Sequence, residues 1–211
     1  YLWRMEQVLD IYEKPYDPRR PVVCFDERPC QLPGDVLMPI PMKPGRVERQ
    51  DYHYKRNRTC VVLMAVEPLA GHRIVKVTKR RTKKDYAKFM KNLAEQYPDA
   101  KKITLIQDNL NTHNPSSFYE IFSATEAFAL SQRFEMIYTP KKASWLNMAE
   151  IELSALSKQC LDRRIDKKRI LSKEVCIWSG KRNRLQTKIT WHFTKNKARE
   201  KLSKAYESIK N

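Results

Sequence analysis

The chain has 211 residues, with 42 Lys+Arg against 24 Asp+Glu and a formal charge of +18, which excludes an acidic tail, a neutral scaffold and a collagen-like repeat. With 41% hydrophobic residues, 10% aromatics and 4 Gly against 12 Pro, it has the composition of a folded domain rather than a disordered segment. The length suffices for one sizeable core, and the charge points to a polyanionic partner captured through counterion release.

In chain order, Leu2, Met5, Val8, Leu9 and Tyr12 fall at helical spacing, and Pro15, Pro18 and Pro21 forbid the helix from continuing. The run Val22-Val23-Cys24-Phe25 reads as a buried strand that delivers Asp26-Glu27 at its C-terminal end. Residues 29–46 hold Pro29, Pro33, Pro39, Pro41 and Pro44 with Gly34 and Gly45, and read as a loop. Tyr52–Val66 and Arg73–Thr78 flank the turn Glu67-Pro68-Leu69-Ala70-Gly71, which gives three antiparallel strands. Lys83–Tyr97 repeats Tyr86, Phe89, Met90, Leu93 and Tyr97 on one helical face. Ile103–Ile106 forms a second acid-tipped strand running into Gln107-Asp108-Asn109; Ser116 or Ser117 caps a helix reaching about Arg133, and Phe134–Tyr138 is a strand. Ser144–Asp162 is helical with Glu150 near its start, and basic helices over Ser172–Thr187 and Thr194–Ile209 are joined by strand-like Lys188–Trp191. Helix–strand alternation after an antiparallel opening defines one α/β domain.

Residues 141–211 hold 19 Lys+Arg and 7 Asp+Glu, so the last third carries most of the excess charge and is expected to face phosphates. The cysteines Cys24, Cys30, Cys60, Cys160 and Cys176 are odd in number and have no short paired spacing, which argues against a disulfide framework and a zinc ribbon and favours a reducing interior. No apolar run is long enough to span a membrane, and the start at Tyr1-Leu2-Trp3-Arg4 lacks an initiator Met and a signal-peptide core. The expectation is a soluble intracellular fragment whose N-terminus lies upstream.

Two apolar strands that end in Asp26 and Asp108, and a later helix that presents Glu150, supply three hard oxygen ligands of the kind that suits Mg²⁺ or Mn²⁺. Two ions held by such a set can activate a nucleophile and stabilise the leaving oxygen of a phosphoryl displacement, and Asp26 is the candidate bridge between them. Each Asp on its own fits a turn or helix cap better than a metal site. Spacing alone therefore leaves a metal-dependent phosphotransfer enzyme and a basic DNA-binding domain with capped turns both open.

The motifs resemble the DDE transposases of the mariner superfamily, in the bacterial branch called the insertion sequence 630 family. Cys24-Phe25-Asp26-Glu27 is similar to that family's first acid motif, Ile106-Gln107-Asp108-Asn109-Leu110-Asn111-Thr112-His113 to its second, and Ser144-Trp145-Leu146-Asn147-Met148-Ala149-Glu150 to its third. Pro15–Pro21 and Trp191-His192-Phe193-Thr194 with Ala198-Arg199 extend the likeness over nearly the whole chain. The resemblance implies an RNase H-like fold, a mixed central sheet flanked by helices with a basic helical C-terminal tail. Asp26 would lie on the first strand, Asp108 on the fourth and Glu150 on a packed helix. It implies a linker over residues 1–20, a DDE catalytic domain over 21–165 and a basic helical extension over 166–211. The implied activity is cut-and-paste transposition: Asp26, Asp108 and Glu150 hold two Mg²⁺ ions, with Mn²⁺ able to substitute, for hydrolysis at the element ends and attack of the freed 3′-OH on target DNA. DNA is the implied partner, with a homodimer in the paired-end complex, no membrane, no nucleotide cofactor, and a bacterial cytoplasmic, nucleoid-associated setting. The helix-turn-helix modules with which such enzymes read their inverted repeats do not precede Asp26, which suggests a catalytic domain alone or a truncated copy.

Around the acids, Asn109 and His113 are candidates to orient water or phosphate, or else an Asx turn and a helix-entry histidine. Glu27 is expected as a surface or supporting acid on the opposite face of its strand, and Glu152 as a solvated or partner-facing acid. Trp145 either stacks on a base or anchors the Glu150 helix, and Lys141, Lys142, Arg163, Arg164, Lys167 and Lys168 are candidate phosphate contacts. A nuclease or resolvase without strand transfer, and a decayed transposase that only binds DNA, are the alternative readings.

Overall fold

The structure, a computed structural model, describes residues 1–36, 40–47 and 53–207. Five strands form one mixed sheet in the order β3-β2-β1-β4-β5. They are β1 (Val22–Asp35), β2 (Tyr54–Glu67), β3 (His72–Thr78), β4 (Ile103–Gln107) and β5 (Phe134–Tyr138). β1, β2 and β3 are antiparallel neighbours, whereas β4 runs parallel to both β1 and β5. All five residues of β4 are buried, as a central parallel strand covered on both faces requires.

Alternation along β1 divides the core. Val23 and Phe25 point to the face covered by α2 (Lys83–Glu95) and α3 (Ala124–Gln132), where they meet Tyr86, Phe89 and Leu93. Cys24 points to the other face, against α1 (Leu2–Tyr12) and α4 (Met148–Gln159). Farther along that face, Leu32 meets Leu153 and Leu156 of α4 and Val175 of α5 (Lys168–Arg184). The segments α6 (Lys195–Lys201) and α7 (Ser203–Glu207) follow, and Ala198 packs among the residues that bury α1. Arg199 and Tyr206 both bond Glu6, which fastens the tail to the first helix.

Several expectations are corrected. Residues 29–35 are strand rather than loop: β2 extends far enough to pair with them, Pro29 opposite Val61 and Asp35 opposite Tyr54. β4 pairs with β1 only as far as Cys24, so the outer half of β1 is an edge on that side, where a proline without an N–H is tolerated. Asp26 consequently sits within its strand rather than at its end. The helix expected to reach Arg133 is broken into a 3₁₀ turn over Pro115–Glu120 and α3, because Ser123 accepts from the Glu126 N–H and starts a new helix. α5 begins four residues before Ser172, and Lys188–Trp191 is not a strand; its Ile189 N–H bonds only the Pro68 carbonyl. The tail helix is two short ones, and Ser208 and Ile209 lie outside the described residues. All five cysteines are free, and among the described residues no helix is long and apolar enough to cross a membrane.

Candidate active site

Asp26 follows Cys24 on the α4 face of β1 and is 9% exposed. Asp108 is the first residue beyond β4, and its side chain is 37% exposed. Glu150 occupies the first turn of α4 and is exposed. The cluster therefore has a buried floor, Asp26, and two acids nearer solvent.

Asn147 places Glu150 relative to Asp26. Its Oδ1 accepts from the Ala149 N–H at 3.1 Å and caps α4, while its Nδ2 donates to the Phe25 carbonyl at 2.8 Å and reaches Asp26 Oδ2 at 3.3 Å. One amide thus binds the start of a helix to the strand that carries the first acid. Tyr12 reinforces the junction by donating its hydroxyl to the Leu146 carbonyl at 2.7 Å. Asn directly before an apolar helical run is itself an N-cap signal, so this cap is readable in the third motif.

Asp26 feels the charges of the other two acids. Burial, followed by the charges of Glu150 and Asp108, pushes Asp26 up to about 7, against the opposing effects of the Glu27 N–H and His113. Among the described residues no three His, Cys, Asp or Glu side chains close around a common point tightly enough to enclose an ion. The donor set nonetheless suits a divalent cation: a hard cation would relieve three carboxylates, one of them buried with its ionisation opposed by the other two.

His113 is fully buried and flanked by two carboxylates, with Nδ1 2.5 Å from Asp108 Oδ1 and Nε2 3.5 Å from Glu27 Oε2. Its ring stacks on Tyr86 at 5.0 Å and meets Phe25 edge-on. Burial opposes its charge, but the Asp108 and Glu27 contacts outweigh burial and push it up to about 9. Nδ1 therefore holds Asp108, while Nε2 faces Glu27 with no hydrogen-bond partner among the described residues. Glu27 is the supporting acid behind His113: its side chain is 4% exposed, and Arg81 Nη1 lies 3.0 Å from its Oε1. Gln107 completes the support by accepting from Tyr86 Oη at 2.9 Å and donating to the His113 carbonyl at 3.0 Å. Asn109 is exposed beside Asp108.

Glu152 is also corrected, since it is buried rather than solvated. Arg73 grips it with Nε and Nη2, both at 2.9 Å, and Arg182 with Nε at 2.9 Å and Nη2 at 2.7 Å. Burial raises its pKa, but Arg73 and then Arg182 outweigh burial and hold the carboxyl below its ordinary value. Arg73 also donates to the Gly71 carbonyl at 2.6 Å and to Thr187 O, so α4 is clamped to β3 and to the end of α5. Gly71 has φ +69, and a Cβ there would meet the Gln186 backbone at 2.5 Å.

The cationic candidates fall into two groups. Lys141, Lys142 and Trp145 are exposed just before α4; Trp145 is 44% exposed and stacks on Trp191 at 6.5 Å, while Leu146 is the buried anchor. Arg163, Arg164, Lys167 and Lys168 lie beyond the other end of α4, a helix about 18 Å long at 1.5 Å per residue. Arg163 is tied to Glu174 at 2.7 Å, and Arg164 is partly exposed.

A 3-2-1-4-5 mixed sheet with helices on both faces is an RNase H-like fold. The chain belongs to the DDE superfamily endonucleases, whose family model matches residues 21–172. Its fold is similar to that of the mariner Mos1 transposase: in the Mos1 paired-end complex with Mg the TM-score is 0.58 at 15% identity, covering 98% of this chain and 61% of that one. In the paired-end complex with Mn the TM-score is 0.57 at 14% identity, covering 88% and 57%. For the isolated Mos1 catalytic domain it is 0.54 at 13% identity, covering 85% and 78%. The chain spans about half the length of the Mos1 chains in the strand transfer complex and the left-end complex, 52% and 54%. No curated protein sequence matches it.

Proposed function

We propose that this chain is the catalytic part of a DNA transposase of the insertion sequence 630 type from a bacterium, acting in the cytoplasm on nucleoid DNA. Asp26, Asp108 and Glu150 are its catalytic and metal-binding residues, and residues 21–165 form the catalytic domain, with 1–20 as linker and 166–211 as extension. The observation that carries this reading is Asn147, which caps the Glu150 helix and bonds the strand at Phe25 and Asp26.

When bound, two Mg²⁺ ions, or Mn²⁺ in their place, would supply an acidified water and neutralise charge on the phosphate. Asp26, Asp108 and Glu150 would hold these ions, with Asp108 bonded to His113 and Glu150 in the exposed first turn of α4. Burial of Asp26 and His113 keeps bulk water from the floor and preserves the strength of these contacts. Lys141, Lys142 and the open face of Trp145 adjoin the Glu150 end and would hold the DNA there. A homodimer pairs two element ends, and no nucleotide cofactor is needed for this chemistry.

Incubation of the chain with duplex DNA and Mn²⁺ tests the reading. Asp26→Ala should abolish cleavage while sparing DNA binding, and retained cleavage by that variant would sink the assignment. Supplying a pre-cut end with a free 3′-OH separates a transposase, which joins it to target DNA, from a nuclease that only cuts.

A further inference from the structure

The face of β1 that carries Asp26 continues outward through Arg28, Cys30 and Leu32. Arg28 is exposed, and with Leu32 it lines a small cleft also bounded by Arg163. Leu32 then borders a larger groove of about 660 Å³ whose charged lining is Arg58, Lys79, Arg80, Lys167 and Lys168 against Asp166 alone. From Asp26 to Leu32 is six residues of strand, about 20 Å at 3.3 Å per residue. Cleft and groove meet at Leu32, and Arg28 brings the cleft to within two residues of Asp26 along the free edge of β1.

Two features set this groove apart from the general positive charge of the chain. Its cations are not consumed internally: among the described residues Arg58, Lys79, Arg80 and Lys168 have no carboxylate within ion-pair distance, and Lys167 has only the adjacent Asp166 at 3.8 Å. Arg163, Arg182 and Arg199, by contrast, are each paired with an acid at 2.7 Å. Second, Lys167, Lys168 and Arg169 crowd the start of the 17-residue α5, whose first turn holds no acid and whose N-cap lacks a side-chain bond. Three cations at the positive end of a helix dipole repel it, an arrangement that an anion seated among them would relieve.

We propose that the phosphate backbone of duplex DNA leaving the acid cluster runs along the outer half of β1 and seats in this groove, with Lys79 and Arg80 on one wall and Lys167 and Lys168 on the other. The inference rests on the nuclease reading for its choice of DNA, and it adds a binding surface remote from the reacting phosphate. It predicts that duplex on the far side of the groove contributes to affinity and not to the chemical step.

The test compares Lys79→Ala/Arg80→Ala and Lys167→Ala/Lys168→Ala with a control, Lys101→Ala/Lys102→Ala, which removes the same charge at the start of β4, the opposite edge from Asp108. Binding to a 30-base-pair duplex is followed by anisotropy over a salt series. Each groove pair should flatten the log K against log salt slope by roughly 2 and weaken binding on the order of 10-fold to 100-fold near 0.1 M salt. The control should leave the slope close to that of the unaltered chain, and equal loss in groove and control variants would overturn the proposal. If the Lys167/Lys168 pair shifts the thermal melt, the Lys79/Arg80 pair, outside any helix, decides alone. Cleavage by the unaltered chain with Mn²⁺ is scored in parallel. Groove-dependent binding without cleavage would sink the nuclease reading and keep the groove; cleavage without a groove effect would do the reverse.

Discussion

Asn147 donates to the Phe25 carbonyl at 2.8 Å and reaches Asp26 at 3.3 Å while its own oxygen caps the helix that carries Glu150. The cap and the strand contact are separable. Asn147→Ser should keep the cap and lose the contact; Asn147→Ala loses both and should cost about 1–2 kcal/mol in a urea melt. Cleavage should fall on the order of 10²-fold in both, because the acids lose their mutual placement. Activity that recovers along with stability in the Ser variant would show that Asn147 is a cap only.

His113 lies between Asp108 and Glu27, fully buried. Replacing it with Gln removes the charge that balances two acids, one of them 4% exposed, and should destabilise the fold by about 3–5 kcal/mol. The double change Glu27→Gln/His113→Gln removes the buried charge as well as its partner and should regain part of that loss without regaining cleavage. Additive destabilisation in this double-mutant cycle would contradict the coupling.

Glu152 stabilises the same helix from its other side. Glu152→Ala strands the buried Arg73 and should cost about 3–5 kcal/mol, with Glu152→Gln milder. Because Arg73 and Arg182 hold the folded carboxyl below its unfolded value near 4.5, its contribution is complete above that pH and is lost as pH falls through the lower folded value. Acid melts of the unaltered chain and Glu152→Gln should therefore begin to approach each other below about pH 4.5 and meet only below the lower folded value, and parallel curves would count against the linkage.

Trp145 presents an open ring beside the acids and rests on Trp191, so Trp145→Ala should change stability little. If the ring stacks on a base, DNA binding weakens by about 1–3 kcal/mol, most on duplexes with unpaired ends. Unchanged affinity on such ends would leave Trp145 as surface packing.

The strands and helices that frame the acids were legible because their signals are local. β4 is a run of apolar residues followed by Asp108, and α2 repeats its apolar face around Tyr86 and Leu93. The outer half of β1 was illegible because prolines at 29 and 33 signal a loop, and only β2, some thirty residues away, makes that segment a strand. Glu152 was misplaced for a related reason: an acid looks solvated until the fold brings Arg73 against it from 79 positions away. Asn147 carried a readable cap signal, but its second bond, to Phe25, is tertiary.

The central claim is that Asp26, Asp108 and Glu150 together hold the divalent metal that cuts DNA. A calorimetric Mn²⁺ titration in the presence of duplex DNA, run on the unaltered chain and on Asp108→Asn, addresses it most directly. Binding heat is expected in the first and its loss in the second, with DNA affinity unchanged in both. Equal Mn²⁺ binding by the two chains, or none by either, would contradict it.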